Sequence, residues 1–224
     1  MTAPIAEIDT VCYVGAGTMG CVNSLVAAVS GYNVVLYDLS EETLAMVAER
    51  QQGFADHMVA IGYCTAEAVP DALARVRTTS DAADAAAGAD LVSESVVERV
   101  DVKRDVHALF DRLCGPSTIL TTNTSSMLVS EIEGAVERGE RFAALQSHLG
   151  SPLYDIVGGP RATPETIDVL RRFVVSLGGV PLVLRREYRG YVVNGLIGAL
   201  TRTALQLLAR GDATVPLVDR AWML

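Results

Sequence analysis

The chain has 224 residues, of which 50% are apolar and 20% charged, and its formal net charge is −9. This length and composition suit one large domain with a buried core and exclude a disordered acidic polymer. The negative charge argues against nucleic acid as a partner, because binding to phosphates needs a concentrated basic face. Neither a secretory leader nor a membrane-spanning apolar run is evident, and the four cysteines have no paired or metal-binding spacing. We therefore expect a cytoplasmic protein with reduced thiols and no metal site.

The first predicted elements form a strand, a helix and a second strand. A β-rich apolar run at Thr10–Val14 ends in a glycine loop, and apolar residues at helical spacing follow over 17–30 until Gly31 ends the helix. Asn33–Tyr37 predicts a second strand that closes on Asp38. Together they predict a βαβ unit.

The same alternation continues along the chain. We predict one long helix over 41–60, capped by Ser40, and a helix over 163–177 that Pro164 opens. A helix over 100–113 lies between strands, and the further predicted strands are 76–79, 89–94, 117–122, 141–146, 153–157 and 180–184. From residue 191 the pattern is helical to the end. We expect a domain at residues 1–186 and a short all-α segment at 187–224.

The glycine loop carries the first functional signal. Gly15, Gly17 and Gly20 form G-A-G-T-M-G between strand and helix, where they permit a tight turn, close approach to a diphosphate and close helix packing. Asp38 ends the second strand, where a carboxylate accepts hydrogen bonds from the ribose hydroxyls and repels a 2′-phosphate. The pattern predicts a Rossmann-type, doubly wound, mostly parallel sheet that binds NAD; FAD is disfavoured because no later flavin-type segment is visible. The predicted contacts are Gly15, Gly17, Thr18, Met19, Gly20 and Asp38.

Four further segments carry a family resemblance. They are DLVSESVVERVDVK at 90–103, TNTSS at 122–126, GGPRATPET at 158–166 and GYVVN at 190–194. On these, most of the chain resembles the 3-hydroxyacyl-CoA dehydrogenase family. The resemblance implies that Glu98, Asn123 and Lys103, the single lysine, belong to the nicotinamide side of the NAD site. It also implies that Ser125 binds the substrate oxygen and that Asn194 completes the substrate pocket. Without the resemblance, Ser125 and Asn123 are ordinary turn residues and Lys103 is a charge on a helix face.

The family's catalytic base is a histidine held by a glutamate, and this chain departs from that pattern. Counted without gaps from Ser125, the histidine position falls on Gln146 and no dyad remains. Aligned from the GGPRATPET side, His148 and Asp155 take the two positions. We favour the second alignment because the chemistry needs a base of near-neutral pKa oriented by a carboxylate.

The resemblance implies an NAD-dependent oxidoreductase that interconverts a 3-hydroxyacyl thioester and its 3-oxoacyl form. Residues 41–74 contain Arg50 as their only basic residue apart from His57, which weakens the expectation of coenzyme A binding there. The substrate is then a thioester on coenzyme A or on an acyl carrier protein, or a small free hydroxy acid. A catalytically silent, crystallin-like NAD-binding relative is the remaining alternative. The 187–224 segment is expected to be a truncated or minimal helical domain that closes the substrate site and forms a homodimer.

Overall fold

The computed structural model describes residues 3–223 and contains eight strands and ten α-helices in that range. The strands are β1 (Thr10–Val14), β2 (Asn33–Tyr37), β3 (Val76–Thr79), β4 (Leu91–Glu94), β5 (Ile119–Thr122), β6 (Phe142–Ser147), β7 (Leu153–Gly158) and β8 (Val180–Val183). The helices are α1 (Thr18–Val29), α2 (Glu41–Ala45), α3 (Val47–Ala60), α4 (Val69–Ala74), α5 (Ala82–Ala86), α6 (Val100–Leu113), α7 (Val129–Glu133), α8 (Pro164–Ser176), α9 (Val193–Ala209) and α10 (Val215–Met223).

All eight strands form a single sheet in the order β3-β2-β1-β4-β5-β6-β7-β8. Every neighbouring pair is parallel except β6 and β7, which run antiparallel. The predicted α/β, mostly parallel fold is therefore confirmed. The strand order reverses between β1 and β4, and in such sheets ligands bind at the carboxyl ends of the strands beside that switch point.

Side chains of β1 alternate between the two faces of the sheet. Val11 and Tyr13 belong to the core cluster covered by α1, α3 and α8, whereas Cys12 and Val14 belong to the cluster covered by α5, α6 and α7. A strand that is buried on both sides has no polar face, which is why β1 reads as a continuous apolar run. The four cysteines are unpaired, and three of them are buried.

The predicted single helix over 41–60 was wrong. Two helices occupy this range, with a break between them at Met46. The amide of Met46 donates to the carbonyl of Thr43, three residues earlier, and not to that of Glu42, four residues earlier, as an α-helix requires. Ser40 caps the first of them, as expected, by accepting a hydrogen bond from the amide of Thr43. Three short helices that the sequence analysis missed are α4, α5 and α7.

The helices after the sheet differ from those that cover it. Neither α9 nor α10 contains a buried residue, and both carry exposed apolar side chains, including Leu200, Leu217 and Trp222. Among the helices within residues 3–223, none combines the length and apolar character that crossing a membrane requires. The predicted boundary at residue 186 lies just beyond the last strand and stays a prediction.

Candidate active site

The glycine loop after β1 is held in a tight turn against the neighbouring strand ends. Gly15 has φ +100°, a conformation that favours glycine, and its amide donates to the carbonyl of Tyr37 at 2.8 Å. A Cβ on Gly20 would lie 1.8 Å from the carbonyl oxygen of Gly15, so only glycine lets α1 start this close to the loop. A Cβ on Gly17 would meet no atom within 4 Å. Gly17 therefore borders open space rather than packed protein.

This open space lies at the amino terminus of α1. No side chain caps the helix at Gly17, and its first turn carries no acidic residue, so its amide groups and its dipole face outward. Such an end attracts an anionic group such as a diphosphate. The predicted residues Thr18 and Met19 form the first turn.

Asp38 is fixed beside the loop. Its Oδ2 accepts a hydrogen bond from the amide of Ala16 at 2.8 Å, and its Oδ1 accepts one from the amide of Ser40 at 2.9 Å. These bonds orient the half-buried carboxylate at the end of β2, next to the amino terminus of α1. This is the placement that recognition of a ribose diol requires.

A cavity of about 610 Å³ lies beyond the loop, between the carboxyl ends of the central strands and the start of α9. It brings together side chains from five separated parts of the chain. The predicted site residues among its lining are Met19, Glu98, Asn123, Ser125, His148 and Asn194. Of the other predicted residues, Asp155 lies directly behind His148, and Lys103 lies behind Glu98.

His148 and Asp155 are in contact, as the second alignment predicted. The Nε2 atom of His148 lies 2.9 Å from Oδ2 of Asp155, whose side chain has no exposed surface. The imidazole is 11% exposed and lines the cavity. A buried carboxylate fixes both the orientation and the tautomer of an imidazole. This is the arrangement of a histidine general base and the carboxylate that orients it.

Gln146 lies next to this pair and contacts Ser125. Its Nε2 donates to Oγ of Ser125 at 3.2 Å, and the hydroxyl proton of Ser125 remains available for another acceptor. Gln146 is 5% exposed and lines the same cavity. In the structure, Gln146 therefore supports the serine and leaves His148 as the imidazole of the site.

Glu98 holds the turn that carries Ser125. Its Oε1 accepts hydrogen bonds from the amides of Ser125 and Ser126, at 2.9 and 3.0 Å, and from the hydroxyl groups of Thr124 and Ser126. Partial burial by itself raises the pKa of Glu98, but these hydrogen bonds and the charge of Lys103 outweigh it, so the pKa is lowered. The carboxylate is ionised at neutral pH and fixes the serine beside the cavity.

Lys103 is fully buried and does not line the cavity. Its ammonium group donates to Oε1 of Glu94 at 2.6 Å and to the carbonyl of Asn123 at 3.2 Å, and it lies 3.4 Å from Oε2 of Glu98. The single lysine therefore supports Glu98 and Asn123, which line the cavity, and does not reach into the cavity itself. The sequence analysis predicted that Lys103 belongs to the NAD site. In the structure Lys103 can act there only through the residues that it contacts.

Sequence reasoning missed the buried group that balances this lysine. Glu94 bonds Lys103, His107 at 3.2 Å and the hydroxyl of Thr122 at 2.7 Å. Burial raises the pKa of Glu94, but the hydrogen bond and charge of His107 and the charge of Lys103 lower it by more. The available signal was spacing, because Lys103 and His107 lie four residues apart and share one face of α6.

The residues present fit NAD. In the structure of residues 3–223, Oδ1 of Asn123, Oε1 of Gln146 and Oγ of Ser147 are buried without a hydrogen-bond partner, and all three residues line the cavity. Unpartnered buried polar atoms are costly, so a ligand that supplies N–H or O–H groups would satisfy them. A carboxamide such as that of nicotinamide has two such N–H groups. The described part of the chain contains no cluster of His, Cys, Asp or Glu that would hold a metal ion.

Fold and cavity together define a dinucleotide-binding α/β domain with an imidazole–carboxylate pair at the carboxyl edge of its sheet. The model of the 3-hydroxyacyl-CoA dehydrogenase NAD-binding domain matches residues 10–188. The chain belongs to this family, and NAD is the family's cofactor.

Several curated relatives are similar over most of the chain. It is 32% identical to the human mitochondrial hydroxyacyl-coenzyme A dehydrogenase, covering 97% of this chain and 71% of the relative. It is 33% identical to 3-hydroxyadipyl-CoA dehydrogenase of Escherichia coli, covering 96% of this chain and 46% of that relative. It is 30% identical to 5-formyl-3-hydroxy-2-methylpyridine 4-carboxylate 5-dehydrogenase of Mesorhizobium japonicum, covering 91% of this chain and 66% of that relative. The chain thus spans between about half and about seven tenths of the length of these three relatives.

Solved structures agree with this assignment. A diketoreductase superimposes with a TM-score of 0.90 at 31% identity, covering 99% of this chain and 78% of that one. The 3-hydroxybutyryl-CoA dehydrogenase of Escherichia coli superimposes with a TM-score of 0.85 at 32% identity, covering 92% of this chain and 44% of that one.

Proposed function

We propose that the protein is an NAD-dependent oxidoreductase that interconverts a 3-hydroxyacyl compound, in the first instance a thioester, and its 3-oxoacyl form. The observation that carries this proposal is the 2.9 Å contact between His148 and the buried Asp155, at the wall of a cavity next to the glycine loop. Relatives named for 3-hydroxyacyl-CoA substrates support the reaction class.

Each residue has a role that its position supports. With the Nε2 proton directed at Asp155, the Nδ1 atom of His148 is the nitrogen that takes the substrate hydroxyl proton during oxidation and returns it during reduction. Asp155 stabilises the imidazolium that forms. The hydroxyl of Ser125, held by Gln146 and Glu98, donates to the substrate oxygen, and Asn194 lies across the cavity. NAD bound at the glycine loop supplies the hydride acceptor for oxidation and, as NADH, the donor for reduction.

The test is a stopped-flow or steady-state assay of NADH oxidation with acetoacetyl thioesters, one on coenzyme A, one on N-acetylcysteamine and one on an acyl carrier protein. Turnover of at least one thioester, with loss of NADH absorbance, supports the proposal. NADH binding without turnover of any carrier form or of a free 3-oxo acid would support the silent relative instead.

We infer in addition that the protein acts as a homodimer through α9 and α10. The exposed apolar side chains of both helices support this, because a free surface of this kind favours association. Light scattering after size exclusion tests it, with Leu200→Asp expected to shift a dimer towards monomer. A cytoplasmic location is also proposed, since buried free thiols fit a reducing compartment.

A further inference from the structure

A buried polar group lies behind the cavity, between α6 and the strand ends, and takes no part in the proposed proton transfer. Glu94 ends β4, and Lys103 and His107 lie four residues apart on α6. None of these three side chains has exposed surface. Thr122, the last residue of β5, donates its hydroxyl proton to the carboxylate of Glu94 at 2.7 Å. We call these four residues the Glu94 cluster.

The two carboxylate oxygens of Glu94 have different partners. Oε1 accepts hydrogen bonds from the ammonium of Lys103 at 2.6 Å and from the amide of Val96 at 2.7 Å. Oε2 is bonded by the hydroxyl of Thr122 and lies 3.2 Å from Nε2 of His107. Because an ionised carboxylate can only accept, Nε2 carries the proton in this contact. His107 and Thr122 therefore orient the carboxylate so that its other oxygen faces the lysine.

Lys103 connects the cluster to the active-site turn. Its ammonium group donates to Glu94 and also lies 3.4 Å from Oε2 of Glu98. The other oxygen of Glu98 accepts a hydrogen bond from the amide of Ser125 at 2.9 Å. A continuous series of contacts thus leads from His107, outside the cavity, to the serine at its wall.

Packing alone does not explain the histidine. Burial of a charge pair costs desolvation, and apolar side chains of similar size often stabilise a core at least as well. The Nδ1 atom of His107 is buried and has no hydrogen-bond partner within residues 3–223, which adds a further cost. The imidazole packs edge-on against Phe142, with 4.8 Å between ring centroids, and an apolar ring would make the same contact. What distinguishes the histidine is its hydrogen bond to Glu94.

We propose that His107 is a positioning residue for the reaction: it fixes Glu94 and, through it, the turn that carries Ser125. Lys103 and Glu98 transmit the effect. The inference rests on the proposed function, because it takes Ser125 as the residue that binds the substrate oxygen. It adds a fully buried histidine that contributes to turnover without contacting substrate or NAD.

His107→Leu removes the donor to Glu94 and keeps an apolar side chain in the core. The assay uses the thioester that the wild type reduces, at a temperature well below every melting transition. We expect kcat to fall about tenfold, which corresponds to the loss of one hydrogen bond to a charged group, while the Kd for NADH changes by less than about twofold. His107→Gln restores an N–H donor next to Glu94 and should recover most of the rate.

Val136→Ala is the matched control for lost stability. Val136 is 4% exposed and belongs to the same apolar cluster as Phe142, and its backbone bonds Glu133 and Arg161, which lie outside the Glu94 cluster. Loss of its methyl groups should lower the melting temperature and leave kcat unchanged. If His107→Leu also lowers only the melting temperature and keeps the wild-type kcat, the histidine is merely part of the core and the inference is wrong.

A double-mutant cycle with Glu98→Gln tests the route. This substitution removes the charge that Lys103 holds at the active-site turn. In the Glu98→Gln background, His107→Leu should lower kcat by less than about twofold, because the two residues act in series. Fully additive effects would show that His107 does not act through Glu98 and would overturn the inference.

Hydrogen exchange at the amides of Ser125 and Ser126 gives a readout that is independent of turnover. Both amides donate to Oε1 of Glu98. We expect them to exchange at least about fivefold faster in His107→Leu than in the wild type, and at the wild-type rate in His107→Gln and Val136→Ala. Unchanged exchange in His107→Leu would overturn the inference. Faster exchange, with no turnover of any thioester by the wild type, would instead reject the proposed function while confirming the series of contacts.

Discussion

Gln146 and Asp155 are register partners across the antiparallel β6–β7 pair, yet the carboxylate of Asp155 bonds the imidazole of His148. Directly opposed residues of two paired strands project to the same face, so Gln146 and Asp155 lie on one side of the sheet, whereas His148 follows the end of β6. The turn after Ser147 brings the ring of His148 back over the carboxylate, while the amide of Gln146 reaches Ser125. The histidine and the glutamine thus have separate partners in one site.

Replacing His148 with Asn removes the proposed base. We expect kcat/KM to fall by about 10²- to 10⁴-fold, the contribution typical of a positioned general acid–base group, without loss of NADH affinity. Asp155→Asn should lower it to a similar degree, because the imidazole loses its oriented tautomer. Steady-state rates and fluorescence titration with NADH measure the two quantities. Unchanged turnover in His148→Asn would exclude this histidine as the base.

Gly17→Ala and Gly20→Ala separate cofactor binding from folding. A Cβ at Gly17 meets no protein atom, so this variant should melt like the wild type but bind NADH at least tenfold more weakly, because the methyl group enters the space assigned to the diphosphate. A Cβ at Gly20 meets the carbonyl of Gly15, so this variant should be destabilised outright. Thermal melts and NADH titration of both variants test the pair, and normal NADH affinity in Gly17→Ala would contradict the assignment.

Asp38→Asn tests recognition of the adenosine ribose. A charge-assisted hydrogen bond is worth about 1.5–3 kcal/mol, so we expect the Kd for NADH to rise by about tenfold or more. The Kd for NADPH should rise less or fall, because the repulsion of a 2′-phosphate is removed. Asp56→Asn, on the exposed side of α3, changes the net charge equally and should leave both values unaltered. Equal effects of the two variants would point to general electrostatics rather than to a ribose contact.

The lowered pKa of Glu98 predicts a loss of stability in acid. A carboxyl whose pKa is lower in the folded chain stabilises it above the ordinary value of 4.5, and that contribution disappears as pH falls through the folded-state pKa. In Glu98→Gln the difference in melting temperature from the wild type should be largest at neutral pH and shrink below about pH 4. A constant difference across that range would show that the charge of Glu98 is not the stabilising feature.

Gln146→Leu tests the support of Ser125. The substitution removes the hydrogen bond to Ser125, worth about 1 kcal/mol, together with the one that Gln146 donates to the carbonyl of Ser147, so we expect a severalfold fall in kcat with little change in NADH affinity. In a Ser125→Ala background the same substitution should have almost no effect on kcat, since Gln146 then has no hydroxyl to hold. A full-sized effect in that background would assign Gln146 a direct contact with the substrate.

The sequence by itself determined the fold around the glycine loop and predicted NAD as the cofactor. The contacts there are local: the glycine loop, the first turn of α1 and Asp38 lie within 24 residues and are fixed by φ angles, strand alternation and helix ends, which are all written in short patterns. It left open whether Gln146 or His148 occupies the position of the catalytic base. The length of the turn between the two strands decides this, and counting from Ser125 or from the GGPRATPET segment gives different answers. Only the tertiary structure brought His148 onto Asp155 and placed Glu98 under Ser125. It also buried Lys103 and His107 around Glu94. These contacts join residues from different strands and helices, and their energies depend on burial and on distances that no single segment of the chain specifies.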